Sequence, residues 1–409
     1  RDRSVSRGLG DVYKRQGMGS GKWEALSAQA QQAVRSAGLV FGAKRLLAGL
    51  PADCTARQFA LYQPADILET LAQNSGQDAA VLYSGDTGFY SGASGLLTPL
   101  RALGIPARVY PGVSSIQLLS AALGRPWQDW KLVSAHGCAC DPVAECMMNR
   151  SVYFLTGGAE TPASLCQKLT DAGMGEAHGV VGENLGTEAE AIRYGSAAEL
   201  AGQSFAPLSV LLVENFDLPQ LRAPGFPDES FIRSEVPMTK QEVRAAALAK
   251  LAVMPTDTLW DVGAGTGSVS VELALAAPKG RVYAVECEPD ACELIRKNRA
   301  KFHACNLILI EGRAPDVLAD LPAPDAVFIG GTKGGMEAVL DEVLGKNPNA
   351  RICISAIALE TLGAAIAALT ARGLTAEVTQ IAVSRTKPAG RLHLLMANNP
   401  IFLITGTRK

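Results

Sequence analysis

The stretch Leu259-Trp260-Asp261-Val262-Gly263-Ala264-Gly265-Thr266-Gly267, running on into Ser268-Val269-Ser270-Val271-Glu272-Leu273, constrains this chain more than any other. An apolar run ending in an acid, then glycine at every second position, then a second apolar run reads as buried strand, tight turn and helix. Glycine lets the backbone take positive φ and approach a ligand closely. The opening amides of the following helix offer donors to a polar group. The spacing D-x-G-x-G-x-G differs from the G-x-G-x-x-G of dinucleotide sites. A tight turn without a ligand is the alternative that the motif alone leaves open. A second strand over 281–285 ends in Glu286, 23 residues after Gly263. An acid at that strand tip can accept from both hydroxyls of a ribose.

Length and composition bound the rest. The 409 residues are too many for one ordinary domain. With 48% apolar and 19% charged residues the chain can bury large cores. A net charge of −2 speaks against a nucleic-acid partner. No uncharged apolar run of about 18 residues is present, so no membrane span is expected, and a cytoplasmic protein is the expectation. Nine scattered cysteines fit free thiols better than a disulfide framework. His136-x-Cys138-x-Cys140 lacks the C-x₂₋₄-C spacing and second pair of a zinc site, so no metal is expected. Gly17 to Gly21 with Lys22 is not a P-loop, because Gln16 and Trp23 stand where Gly and Ser or Thr are needed.

The motif around Asp261 resembles motif I of the Rossmann-like S-adenosylmethionine methyltransferases. On that resemblance Asp261, Gly263, Ala264, Gly265, Thr266 and Gly267 cradle the cofactor, and Glu286 takes its ribose. The strand over 307–310 leads to Glu311-Gly312-Arg313-Ala314-Pro315. Arg313 stands where such enzymes commonly have an acid for the adenine amine, and it cannot accept. Adenine contact is then expected from the backbone near Gly312 and Ala314. The strand over 326–329 ends in Gly330-Gly331-Thr332-Lys333, where amino-directed enzymes have an acid or Asn before Pro-Pro-aromatic. A bulkier, non-amino acceptor is expected. Strands over 351–355 and 377–383 and a final pair around 392–405 complete a seven-stranded pattern. Thr239 and Glu242 have capping-box spacing ahead of Val243.

The N-terminal half carries a series of polar loops after apolar strands. In order these are Gly17-x-Gly19-x-Gly21, Gly42-x-x-Arg45, Ser84-Gly85-Asp86-x-x-Phe89-Tyr90, Pro111-Gly112-Val113-Ser114-Ser115, Ser134-Ala135-His136-Gly137 and Glu183-Asn184-Leu185-Gly186. That order resembles the tetrapyrrole (corrin/porphyrin) methylases over about 17–216, most closely the C5-methyltransferases of the cobalamin pathway. Cys138 departs from the Arg usual there. Residues 237–405 are similar to the C15-methyltransferase/decarboxylases of the same pathway, through Pro237-Met238-Thr239-Lys240, Asp261 to Gly267, Ile329-Gly330-Gly331 and Ser384-Arg385-x-x-Pro388.

Together the resemblances imply an α/β chain: an N-terminal tetrapyrrole methylase of two α/β subdomains, then a Rossmann-like seven-stranded methyltransferase. The expected boundaries are 1–16 outside the fold as a basic, aperiodic non-native scar or disordered stretch, 17–214, a Pro-rich linker over 215–236, and 237–409. The implied activity is bifunctional: methylation of a precorrin or cobalt-precorrin at C5 and C15, with loss of the C12 acetate as CO₂. The implied cofactor is S-adenosyl-L-methionine, held by Gly19, Gly85, Asp86, Ser114 and Ser115 in the first half and by Thr239, Asp261 to Gly267, Glu286, Gly312 and Ala314 in the second. Arg45, Lys333 and Arg385 are the candidate cations for substrate carboxylates. A homo-oligomer is expected. A nucleic-acid methyltransferase and a non-catalytic S-adenosylmethionine sensor are the rival readings.

Overall fold

The computed structural model describes residues 13–17, 22–90 and 93–408. Three sheets carry the chain. The first contains β1 (Tyr13–Gly17), β2 (Leu39–Phe41), β3 (Arg57–Phe59), β4 (Ala79–Tyr83) and β5 (Ala107–Tyr110). Their order is β3-β2-β4-β1-β5 and every pairing is parallel. Helices cover both faces, so β2 and β4 are buried at every residue and read as unbroken apolar runs. Val34 and Leu46 pack on one face, Ile67 and Leu100 on the other.

The second sheet contains β6 (Lys131–Ser134), β7 (Ser151–Leu155), β8 (His178–Glu183), β9 (Ala191–Ser196) and β10 (Ser209–Glu214), in the order β6-β7-β10-β8-β9. Only β6 and β7 pair in parallel. The third contains β11 (Thr258–Val262), β12 (Arg281–Glu286), β13 (Leu307–Glu311), β14 (Ala326–Ile329), β15 (Arg351–Ala356) and β16 (Thr375–Ile381). Beside it stands a separate hairpin, β17 (Ser384–Ala389) with β18 (Leu392–Ala397), before β19 (Ile401–Thr407) completes the sheet as β13-β12-β11-β14-β15-β19-β16. Side chains alternate along β11: Leu259 joins one core with Phe226 and Phe328, while Trp260 and Val262 join the other with Val327 and Ile352.

Four expectations change. Residues 13–16 lie within the stretch expected outside the fold, yet the backbone of Tyr13–Gly17 forms the strand between β4 and β5. The stretch expected to be a linker is packed in its second half: Phe226 and Phe231 are buried in the C-terminal core, and the Gly225 and Phe226 amides donate to Glu272 at 2.6 and 3.1 Å. Its prolines forbid helix without forbidding burial. The Thr239–Glu242 capping box does not form. The helix starts at Gln241, whose amide donates to Asp228, and Glu242 instead accepts from Arg385. The expected final strand pair is split: Leu392–Ala397 pairs with Ser384–Ala389 outside the sheet, and only Ile401–Thr407 enters it.

The halves touch. Arg281 pairs with Asp141 at 2.7 Å, and Arg299 donates to the Ala172 carbonyl at 2.8 Å. Among the described residues no helix is long and apolar enough to cross a membrane, and no group of His, Cys, Asp or Glu is arranged to hold a metal.

Candidate functional site

Parallel sheets collect ligands at strand carboxyl ends. In the third sheet those ends are Asp261-Val262, Glu286, Glu311 and Ile329. After Val262 the chain turns through Gly263, Gly265 and Gly267, all at positive φ, into the helix Ser268–Ala276. Gly263 shows why the turn needs glycine: a Cβ there would lie 2.2 Å from the Gly331 carbonyl oxygen. The turn thus packs directly against the Gly330-Gly331 loop. Pro237 crowds it from the other side, its carbonyl 3.2 Å from where a Gly265 Cβ would stand.

Asp261 lies beneath the turn. The Ser270 hydroxyl donates to its Oδ2, while Oδ1 is buried and unpartnered among the described residues. Burial raises its carboxyl to about 7, opposed by the Ser270 bond and reinforced by the nearby Glu286 charge. Thr266 Oγ1 is likewise buried and unpartnered. Glu286 accepts from the Gly265 amide at 2.8 Å on one oxygen and from the Cys287 and Glu288 amides at 2.7 and 3.0 Å on the other. A carboxylate has about four acceptor positions, so Glu286 keeps capacity for a ligand hydroxyl.

A backbone cradle with no room for Cβ, an orphaned buried acid and an orphaned hydroxyl fit S-adenosylmethionine, whose ammonium and ribose hydroxyls are donors. Gly312 closes the edge: its amide donates to the Glu286 carbonyl at 2.8 Å, and Ala314, two residues on, is buried. Arg313 donates to the Lys333 carbonyl, and the Lys333 ammonium bonds Glu288 at the rim. Glu288 holds that ammonium above its usual range.

Some residues that the sequence did not single out support this turn. Asn298 donates to the Thr266 carbonyl at 2.9 Å and exchanges bonds with the Ile232 backbone at 2.8 and 3.0 Å. Arg244, fully buried, pairs with Asp228 at 2.9 Å and with Glu272 at 2.8 Å. An Asn or Arg inside a helix pattern carries no local sign of such partners. Arg385 is spent in the same network, pairing with Glu242 at 2.7 Å and Asp228 at 3.1 Å at the base of the β17–β18 hairpin.

The second cleft opens between the first two sheets, with a volume of about 290 Å³. Arg45, Gly85, Asp86, Ser114 and Ser115 line it, so the structure gathers five of the expected residues there. Gly19 lies outside the described residues. Asp86 ties two loops together, accepting from the Gly88 amide at 2.8 Å and the Gly112 amide at 2.9 Å. Ser114 caps the helix Ser115–Leu123, and its amide donates to Gln117 at 2.7 Å. Ser115 bonds the Tyr153 hydroxyl at 2.7 Å, joining the two sheets. The opposite wall comes from His136, Thr156, Asn184 and Ser209. Sequence order alone does not bring these to Asp86.

Comparison with known proteins covers both halves. Residues 17–201 match the model of the tetrapyrrole (corrin/porphyrin) methylases, and residues 230–408 match that of the precorrin methyltransferase domain. The precorrin-6Y C(5,15)-methyltransferase [decarboxylating] of Sinorhizobium is 32% identical over 80% of this chain and 80% of its own. A protein of Pyrobaculum calidifontis named "Probable cobalt-precorrin-6B C(15)-methyltransferase (decarboxylating)" is 46% identical over 44% of this chain and 95% of its own. A solved precorrin-6y C5,15-methyltransferase structure from Geobacter metallireducens aligns with 46% of this chain and 100% of its own, at 38% identity and a TM-score of 0.44.

Proposed function

This chain belongs to the family of decarboxylating precorrin-6Y C(5,15)-methyltransferases, and on that premise we propose that each of its two clefts is a methyl-transfer site for one tetrapyrrole. The N-terminal cleft serves C5. The C-terminal cleft serves C15 and removes the C12 acetate as CO₂, in cobalamin biosynthesis. The observation that carries this is the match of a relative of that name over 80% of the chain. The proposed units are 13–214 and 237–409, with the second half of the stretch between them packed onto the second.

Methyltransferases of this family use S-adenosyl-L-methionine, which when bound supplies an electrophilic methyl on a sulfonium. In the C-terminal cleft Asp261 and the turn from Gly263 to Gly267 orient it, Glu286 takes ribose hydroxyls, and the backbone of Gly312 and Ala314 flanks the adenine; Thr239, whose carbonyl accepts from Arg244, is assigned to the same cofactor. In the N-terminal cleft Gly85, Asp86, Ser114 and Ser115 have that task, and Gly19, outside the described residues, is assigned it by the family resemblance. Positioning two reactants supplies a large share of the acceleration in such a displacement. Arg45 and Lys333 are the cations proposed for substrate carboxylates, and the ion pairs of Arg385 give it the different task of anchoring the hairpin.

The protein is proposed to be cytoplasmic, in keeping with nine free cysteines. It is proposed to bind no nucleic acid, in keeping with its net charge of −2. It is proposed to assemble as a homo-oligomer through the hairpin, where Leu392, Leu394, Leu395 and Met396 are exposed together. The test is incubation with methyl-labelled S-adenosylmethionine and either metal-free or cobalt-bound precorrin, reading product masses and the methyl positions by NMR. Two methyl gains and one CO₂ loss are expected. With Asp86→Ala the C5 methyl should fail while C15 methylation and CO₂ loss persist; equal loss of all three would refute the division of labour.

A further inference from the structure

We propose that His136 is the proton acceptor of the N-terminal cleft, an assignment that rests on the C5-methylation reading. Three observations converge on it. His136 follows β6 and lines the cleft, across from Arg45, Asp86 and Tyr90, the other charged or titratable side chains of that lining. Its Nδ1 lies 3.3 Å from the Thr156 carbonyl oxygen. A carbonyl only accepts, so Nδ1 carries the hydrogen and Nε2 keeps its lone pair. The Thr156 segment is itself fixed, because its hydroxyl donates to the Ser209 carbonyl at 2.5 Å.

The third observation is the seat of the ring. A Cβ on Gly157 would stand 1.8 Å from His136 Nδ1 and 2.6 Å from Cε1. Gly157 is not among the positive-φ residues, so its backbone would accept alanine. The ring is what requires glycine. The Gly157 amide donates to the Glu160 carbonyl at 3.0 Å, holding this floor in a short turn. An imidazole with one nitrogen tied to backbone, the other left as an acceptor, and a floor without a Cβ is a built orientation.

The chemistry gives that orientation a use. When a ring carbon bearing hydrogen is methylated, a C–C bond forms and the C–S bond breaks, its electron pair leaving on sulfur. The ring then carries the positive charge until that hydrogen departs as a proton. Nε2 takes the proton, and the imidazolium releases it to water. One methyl enters and one proton leaves, with no other reactant.

The experiment uses the full chain with precorrin substrate, reading CO₂ loss by mass and separating C5 from C15 methylation by carbon NMR of the product made with methyl-labelled S-adenosylmethionine. His136→Asn keeps a donor for the Thr156 carbonyl and removes the base. Gly157→Ala keeps the histidine and displaces its ring. Both should slow C5 transfer by at least about 100-fold, the scale of general base catalysis. Both should leave the substrate KM and the two C-terminal reactions nearly unchanged. The acid limb of the C5 pH–rate profile should vanish in His136→Asn. Nitrogen NMR of the wild type, which has only four histidines, should show His136 as the Nδ1–H tautomer. Full C5 activity in His136→Asn, or the Nε2–H tautomer, overturns the proposal. If the wild type transfers no methyl to any precorrin, the functional reading itself has failed.

Discussion

At the C-terminal cleft the acid, Asp261, is buried under the glycine turn with Oδ1 unpartnered among the described residues. At the N-terminal cleft Asp86 is half-buried, and backbone amides of two loops take both its oxygens. The first site is built into a core: its turn leans on Gly331, Asn298 and the helix bearing Glu272. The second is built from loops bridged across two sheets. A cradle rooted in a core is fixed by packing and punishes substitution with unfolding. One made of bridged loops is fixed by hydrogen bonds and loses activity first.

The sharpest way to break that contrast is to remove buried charge. Arg244→Met leaves Glu272 buried without its cation and Asp228 with only the partly exposed Arg385. It should cost about 3–5 kcal/mol of C-terminal stability in denaturant unfolding. In the first half, Arg125 pairs with Glu214 with its own side chain largely exposed. Arg125→Met should cost only about 0–1 kcal/mol. Equal losses would contradict a core-built site.

Next in size are two glycines with similar positive φ. Gly263→Ala adds a Cβ 2.2 Å from the Gly331 oxygen, whereas at Gly85 the nearest atom is Ser114 Cα at 4.0 Å. Roughly 3 kcal/mol or more is expected for the first, and about 1–2 kcal/mol, the backbone strain alone, for the second.

Smallest per step, because it is spread over several pH units, is a slope with pH. Burial raises the Asp261 carboxyl from 3.8 to about 7. The folded state therefore holds this proton more tightly than the unfolded chain. Its contribution to stability is full below the lower value and is lost as pH rises through about 7. Melts of wild type against Asp261→Asn should show a wild-type decline over this window, at most about 1.4 kcal/mol per pH unit, that the variant lacks. Parallel curves would mean that Asp261 is solvated in the apo protein.

The same contrast explains what the sequence could show. The helix Ser268–Ala276 and the strand Ala326–Ile329 stand where the pattern places them, because local periodicity and the glycine turn determine them. Phe226 and Phe231 were hidden by the prolines around them, which mark a break in helix and say nothing about burial. Glu242 had the spacing of a cap, but Arg385, 143 residues away, takes its carboxylate. The Gly157 seat for His136 joins β6 to the end of β7 and shows only after the strands pair. Long-range pairing of charges and of rings with glycines has no local signature.

Counting bound cofactor tests the central claim of two methyl-donor sites most directly. Calorimetry with S-adenosylmethionine should give two equivalents per wild-type chain and one for Gly265→Asp, where a charged side chain would enter the C-terminal turn beside the Pro237 carbonyl. A wild type that binds one equivalent, or a Gly265→Asp chain that still binds two, would contradict the account.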